Sequence, residues 1–376
     1  MNFGKQSLYK STLTYLTSVY SAPPKGNVLR RLQTLCLMLC SCIETKSSSL
    51  EGISRCFSEQ SESASEISDK QSESRIKQAK RWLSSKWTDW ETFYAPYIKP
   101  LLKKLAKKGE IIIIIDGSET AGDCVTLMIS VLWRGYAVPL TWITRKGKKG
   151  HFPEDMHLEL VRFAKDILPP DCRIVLLGDG EFDGLRLRTR CREYRWEFVL
   201  RTSKDRIIDC GGEKARFDSL CPDPNSDFVF VEKAVDGDNA VMHHDKTCQD
   251  PIFLLTDMEL GQMACAYYKR RFKIEMLFKH MKSHGFNLQK SKVCSAHRVS
   301  NLIIIVALAF LLTFCAGLWL KTQSKEVLSK ITRPDRVPKM SPVILANRCR
   351  QSDRIVFNNI FSLFSKNCDD FFNIIA

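Results

Sequence analysis

The segment from residue 110 to residue 202 constrains the fold most, because its apolar runs predict strands and helices in a fixed order. Glu110 is followed by five isoleucines and Asp116, and residues 125–133 and 136–143 are rich in β-branched and aromatic side chains. Such runs are typical of β-strands. An Arg-Gly pair separates the second run from the third, so we predict three consecutive strands in an antiparallel meander.

The second half of this segment alternates helices with strands. The apolar pattern predicts helices over 153–167 and 182–193, and strands over 173–177 and 196–202. Three strands, a helix, a strand, a helix and a strand is the element order of the ribonuclease-H-like fold. The predicted fold class is therefore α/β, with a mixed sheet flanked by helices.

Composition divides the rest of the chain. Apolar residues recur at helical spacing over 28–43, whereas residues 58–74 are rich in Ser and Glu and are interpreted as a solvated linker. Short extended runs between Gly, Pro, Asn and Asp over 203–260 indicate a β-rich insertion. Helices predicted over 28–43 and 49–57, joined by a turn, resemble a DNA-binding element. The predicted regions are a helical N-terminal DNA-binding region (1–108), a core in two parts (109–202 and 261–325), the insertion (203–260) and a C-terminal tail (326–376), for which a helix is the candidate structure and the role stays open.

Four polar residues share one face of a long helix predicted over 262–284. At about 100° per residue they lie in a stripe about 60° wide that borders an apolar face. These residues are Tyr268, Arg271, Glu275 and Lys282. One carboxylate is thus expected beside two cations and a phenol. Taken alone, a Glu–Arg pair four residues apart is more often a solvated ion pair.

The spacing Y-x2-R-x3-E-x6-K resembles the signature of insertion-sequence DDE transposases of the Y-R-E-K group, and this chain matches all four positions. The resemblance implies one aspartate on the first strand of a ribonuclease-H-like core and a second at the end of the fourth strand. Asp116 and Asp179 occupy these places, although either alone is typical of a turn after a strand. Residues 133–140, 149–152 and 282–288 also resemble stretches of this transposase group. The resemblance covers roughly residues 75–320.

The resemblance implies that Asp116, Asp179 and Glu275 are the catalytic and metal-binding residues. Carboxylate oxygens suit Mg²⁺ or Mn²⁺ and not a structural zinc. Two such ions activate water or a 3′-hydroxyl and stabilise the oxygens of an in-line phosphoryl displacement. The predicted enzyme is therefore a DNA transposase that binds the ends of an insertion sequence and catalyses metal-dependent strand cleavage and strand transfer.

Two further acids follow Asp179. Glu181 and Asp183 stand at the start of a predicted helix. We interpret them as exposed charges that favour the helix N-terminus. Support of the catalytic acids is the alternative role.

The net charge of +15 indicates a polyanionic partner. It is concentrated in two segments, because residues 75–108 carry ten basic and two acidic residues and residues 269–292 carry eight and one. The resemblance implies that Tyr268, Arg271 and Lys282 hold phosphates beside the scissile bond. A second group of cations follows the third predicted strand and is expected to contact DNA: Arg145, Lys146, Lys148 and Lys149.

Double-stranded DNA is the expected partner, both as transposon ends and as target. Because two ends must be held together, we expect at least a homodimer in the DNA complex. Residues 1–20 lack the apolar core of a secretory signal, which favours a cytoplasmic, nucleoid-associated protein.

Residues 302–320 form an apolar run of nineteen residues without a charge, long enough for a transmembrane helix. Similar transposases have an apolar helix here that packs on the central sheet, so a buried helix is preferred and no membrane is expected. Two alternatives stay open. One is a catalytically inactive DNA-binding relic or regulator, and the less favoured one is a basic membrane-associated protein.

Whether excision passes through a DNA hairpin also stays open. Relatives that form hairpins stack a flipped base on a Trp of the insertion. Residues 203–260 contain no Trp. Phe217, Phe228 or Phe230 would have to substitute for it.

Overall fold

The computed structural model of the chain describes residues 8–55, 69–148, 150–220, 228–244 and 250–366. Its strands are β1 (Glu110–Glu119), β2 (Cys124–Trp133), β3 (Tyr136–Lys146), β4 (Arg173–Gly178), β5 (Glu197–Arg201), β6 (Ile207–Asp209), β7 (Lys214–Arg216), β8 (Val229–Val235), β9 (Asp238–His243) and β10 (Ile252–Thr256). Its helices are α1 (Leu8–Ser18), α2 (Gly26–Thr45), α3 (Leu50–Arg55), α4 (Asp69–Ser84), α5 (Trp90–Phe93), α6 (Ala95–Ala106), α7 (Glu154–Ile167), α8 (Leu185–Glu193), α9 (Gly261–Tyr268), α10 (Lys273–Lys279), α11 (Ala296–Lys321), α12 (Lys325–Ser329), α13 (Pro342–Ser352) and α14 (Arg354–Lys366).

An eight-stranded mixed sheet has the order β3-β2-β1-β4-β5-β10-β9-β8. β1 to β3 form the predicted antiparallel meander, and β4 and β5 continue the sheet parallel to β1. The five isoleucines of β1 are all buried, as expected for a strand with helices on both faces of its sheet. The predicted fold class is confirmed.

Residues of the predicted insertion extend this sheet. β10 pairs antiparallel with β5, and β9 and β8 follow. The short β6 and β7 form a separate hairpin. Phe217 is fully buried in an apolar cluster with Phe253 and Leu255, so of the three candidates to replace the Trp it is the one whose ring is not accessible to a base. Phe228 and Phe230 are half-buried.

The apolar run lies in α11, which is long and apolar enough to cross a membrane. However, 94% of its most apolar window is buried inside the protein. The helix packs against β3, α2 and α13, and the Asn301 Nδ2 donates a hydrogen bond of 2.9 Å to the Leu83 carbonyl. In this fold α11 is the central helix between the sheet and the terminal helices, which explains its apolar surface on all sides.

α13 crosses α11 at Gly317, where an added Cβ would lie 1.9 Å from the Pro342 carbonyl oxygen. A methyl group therefore cannot be accommodated unless the two helices separate. We expect Gly317→Ala to lower the free energy of unfolding by about 1–3 kcal/mol in urea denaturation. Gly150→Ala is the control, because its Cβ would meet no atom closer than 3.9 Å. Equal stability of the two variants would contradict this packing.

The terminal helices pack on the same core. α14 lies against α1, and Glu44 of α2 forms ion pairs with Arg350 at 3.5 Å and Arg354 at 3.0 Å. Residues 56–68 of the predicted linker lie outside the described residues. The remaining part of that prediction, residues 69–74, is wrong because α4 begins at Asp69. The Ser72 hydroxyl of α4 contacts the Ser54 hydroxyl of α3 at 3.0 Å.

Candidate active site

The single helix predicted over 262–284 is interrupted. α9 ends at Tyr268 and α10 begins at Lys273, and a π-turn covers His280–His284. Between the two helices, the backbone N–H groups bond to carbonyls three residues back, as in a tight 3₁₀ turn. The prediction of one continuous helix is therefore wrong, although Arg271, Glu275 and Lys282 of the predicted stripe still line one cleft.

Asp116 and Asp179 lie at the same edge of the sheet. β1 and β4 are parallel, and their register pairs Ile114 with Leu177, so the two aspartates come two residues further along their chains. Burial, and then the charge of Asp179, raise the pKa of Asp116 to about 6 from an ordinary 3.8. Asp116 also accepts a hydrogen bond of 2.7 Å from the Gly117 N–H. The register thus brings two carboxylates together, as the sequence predicts.

Arg271 lies between two of the predicted acids. Its Nη2 donates to Glu275 Oε1 at 2.8 Å, and its Nη1 lies 3.5 Å from Asp116 Oδ2. Arg271 is only 6% exposed, whereas the Glu275 side chain is 52% exposed. The tight turn before α10 therefore directs a buried cation at the acids of the site.

The three carboxylates do not form a three-ligand cluster in this conformation. Within the described ranges, no three His, Cys, Asp or Glu side chains are arranged to hold a metal ion. Glu275 contacts Arg271 instead. The chemistry of the donors still fits a hard divalent cation, because all are carboxylates. The pKa of Asp116 stays raised because Arg271 only partly offsets its burial and the charge of Asp179.

The other predicted DNA contacts differ in position. Lys282 donates to the Ser118 hydroxyl at 3.0 Å and lines the cleft beside Asp116. Tyr268 is buried, with its ring centre 5.8 Å from the Arg271 guanidinium, and it does not line the cleft. Its ring packs against the Arg271 guanidinium from outside the cleft.

The cations at the end of β3 lie near the same cleft. Arg145 is paired with Val125, which lines the cleft, and Lys146 donates to the Gly122 carbonyl at 2.8 Å. Arg145, Lys146 and Lys148 are exposed, and Lys149 lies outside the described residues.

The cleft itself has a volume of about 680 Å³. Five carboxylates and three cations line it: Asp116, Glu119, Asp179, Glu181, Glu275, Arg271, Lys279 and Lys282. This mixture of charges suits a ligand that carries both phosphates and bound cations.

Glu181 connects the two aspartate strands. Its N–H donates to Asp179 Oδ1 at 3.1 Å, and its carboxylate accepts from the Phe152 N–H. The Phe152 ring in turn packs so closely on Gly117 that a Cβ there would lie 2.1 Å from the ring. Glu181 also lies 3.8 Å from Nε2 of the buried His157.

The interpretation of Glu181 and Asp183 as exposed helix-start charges is wrong. Asp183 is largely buried and accepts from Arg206, and Glu181 is 17% exposed. In the sequence, only their position after Asp179 indicated the alternative role, support of the catalytic acids. The partner groups are far away in sequence.

Comparison with known proteins gives three findings. The family model described as "Transposase DDE domain" matches residues 157–312. A similar solved structure is the "Cryo-EM structure of piggyBac transposase synaptic complex with hairpin DNA", which is 10% identical with a TM-score of 0.46 and covers 93% of this chain and 78% of that chain. No curated protein matches.

Proposed function

We propose, from the premise that this chain contains a transposase DDE domain, that it binds the ends of its own mobile element and cuts and joins DNA strands. The predicted resemblance to DDE transposases is confirmed by that domain. Assignment to the Y-R-E-K group stays a prediction, as do the individual site residues.

The observation that carries the proposal is the pair Asp116 and Asp179 on neighbouring parallel strands, with Arg271 and Glu275 opposite. Burial, and then repulsion by Asp179, raise the pKa of Asp116. Such a pair favours binding of a cation. A polar cleft that also contains Lys282 supports a phosphate ligand beside that cation.

In this proposal, Asp116, Asp179 and Glu275 would hold Mg²⁺ or Mn²⁺, with two ions as the expected number. Bound there, the ions would supply Lewis acidity to an in-line phosphoryl displacement. Arg271 holds Asp116 and Glu275 in place through its two Nη atoms. Lys282 donates to the Ser118 hydroxyl and lines the cleft, where its positive charge would attract a phosphate oxygen.

The expected partner is double-stranded DNA, with a homodimer holding two ends. The basic residues Arg145, Lys146 and Lys148 stand at the cleft end of β3. They support passage of a phosphate backbone along this edge. Tyr268 is proposed to act through Arg271 and not by direct contact with DNA.

A catalytically inactive DNA-binding protein is the second candidate. The contact of Glu275 with Arg271, in place of a three-carboxylate cluster, favours it. Binding of flanking DNA without cleavage in Mg²⁺ or Mn²⁺ would establish this alternative.

The proposal is tested with duplexes of the DNA that flanks the reading frame. We expect the purified protein to bind them and to cut one end with Mg²⁺, and to bind without cutting in EDTA. Unrelated duplexes of equal length are the control. Cleavage that is equal in EDTA would contradict a metal-dependent reaction.

Glu181 is expected to act through its hydrogen bond to Phe152. Glu181→Ala removes the acceptor and loosens the contact of Phe152 with Gly117, so we expect single-turnover cleavage to fall about tenfold to a hundredfold. Glu181→Gln keeps a carbonyl acceptor and is expected to restore most of this rate. If both variants lose the same activity at equal thermal stability, the charge and not the hydrogen bond is required.

A further inference from the structure

A second cluster of cations lies at the end of the sheet that is remote from the cleft. Lys103, Lys104, Lys107 and Lys108 stand at the end of α6 and in the turn to β1, and Arg134 follows β2. We call these residues the far-end cations. Burial, and then Lys108, Arg134 and Lys107, lower the pKa of Lys104. Lys104, Lys107, Lys108 and Arg134 are therefore near neighbours, and Lys103 precedes Lys104 on α6.

The sheet register gives their distance from the cleft. Ile113 pairs with Val131 in an antiparallel register, so Arg134 stands level with Glu110 at the start of β1. Asp116 comes six residues after Glu110 on this strand. At about 3.3 Å per residue, the Glu110 end of β1, where Arg134 stands and which Lys107 and Lys108 directly precede, lies about 20 Å from Asp116.

The carboxylates at this end have other partners. Arg173 contacts Glu110 at 2.6 Å and Glu197 at 2.6 Å. Tyr267 also donates to Glu110. Within the part of the chain that the structure describes, Lys103, Lys107, Lys108 and Arg134 form no ion pair with a carboxylate, and all four are exposed.

We infer that the far-end cations are a second docking surface for duplex DNA, separate from the cleft where strands are cut. The inference rests on the proposed function. Grouped exposed cations repel one another, and a phosphate backbone offsets this repulsion by releasing counterions. At 3.4 Å per base pair, about 20 Å corresponds to about six base pairs. The surface therefore contacts duplex about six base pairs from the scissile phosphate, and it does so without reading bases.

The test is a variant with four substitutions, Lys103→Gln, Lys107→Gln, Lys108→Gln and Arg134→Gln. We expect the variant to lose about two to four phosphate contacts with the flanking duplex. For each lost contact, the slope of log affinity against log salt concentration should become shallower by about 0.9. Single-turnover cleavage at saturating protein is expected to stay within about threefold, because the substitutions do not touch the cleft.

A charge-matched control carries Lys325→Gln, Lys330→Gln, Lys339→Gln and Arg336→Gln, which are also exposed. We expect it to keep the wild-type slope. If the wild type binds flanking duplex and the far-end variant shows the same salt slope, the inference is overturned while the proposed function stands. Failure of the wild type to bind flanking duplex would overturn the proposed function and the inference with it. Loss of binding to vesicles of anionic phospholipid, with an unchanged DNA slope, would assign the surface to membranes and overturn the inference.

Discussion

Asp116→Asn is expected to abolish Mg²⁺-dependent strand cleavage and, in metal-free solution, to make the protein more stable. The amide cannot serve as an anionic ligand, so we expect the single-turnover rate to fall at least about a thousandfold. It also removes a charge that burial and Asp179 disfavour, while its oxygen can still accept the Gly117 N–H. Binding of flanking DNA is expected to persist.

The stability effect has a defined pH window. The pKa of Asp116 is raised to about 6 from 3.8, so between these values the folded protein binds a proton that the unfolded chain releases. The free energy of unfolding of the wild type should therefore fall as pH rises from about 4 to about 6 and stay level above it. Two pKa units correspond to about 3 kcal/mol, which is the expected advantage of Asp116→Asn at pH 7.

Urea denaturation of both proteins at pH 4 and pH 7 in EDTA measures this difference. Glu119→Gln, which changes another carboxylate of the same cleft, is the control and should show no comparable gain. If Asp116→Asn is less stable than the wild type at pH 7, the destabilisation of the Asp116 charge by burial and by Asp179 is wrong.

Arg271→Ala is expected to shift the pH dependence of cleavage to higher pH and to weaken DNA binding. The guanidinium is the main group that lowers the pKa of Asp116, so its loss leaves Asp116 protonated over a wider range. Glu275 also loses its partner at 2.8 Å. A pH–rate profile of single-turnover cleavage should therefore show a higher apparent pKa and a rate lower by about a hundredfold.

Arg271→Lys is the matched variant. It keeps a positive charge but cannot contact Asp116 and Glu275 at once through a fork of donors. We expect Arg271→Lys to return the apparent pKa of the pH–rate profile close to the wild-type value. The single-turnover cleavage rate should recover less. The salt dependence of DNA binding should become shallower in Arg271→Ala if this residue also contacts a phosphate. An unchanged slope would remove Arg271 from the phosphate contacts and leave its role within the protein.

The strands of the core and the positions of both aspartates could be predicted from the sequence because their signals are local. The five isoleucines before Asp116 and the apolar run before Asp179 are strand signals in themselves. A parallel register then brings the ends of β1 and β4 together. The proximity of these two carboxylates follows from the predicted strands once β1 and β4 are paired in parallel.

The geometry around Arg271 could not be predicted in this way. Helical spacing predicts one helix through Tyr268 and Glu275, but the chain tightens between them. In this tightened turn Arg271 reaches Asp116 on β1. The two residues are far apart in the sequence, and a periodicity pattern contains no information about their contact.

The same limit applies to Glu181 and to the insertion. The acceptor role of Glu181 depends on the Phe152 N–H, which belongs to the segment before α7. Likewise, the runs of β8 and β10 indicate strands, but not that they extend the central sheet beyond β5. Strand pairing across such separations depends on the packing of the whole core.

The most direct test of the proposed active site is the single-turnover rate at which flanking duplex is cut in Mg²⁺. It compares the wild type with Asp116→Asn, Asp179→Asn and Glu275→Gln, and uses Glu119→Gln of the same cleft as control. We expect each of the three variants to lose at least about a thousandfold in rate with DNA binding preserved, and the control to stay within about threefold. Cleavage at the wild-type rate by any of the three variants would contradict the assignment of these carboxylates. An equal loss of rate in Glu119→Gln would contradict it as well.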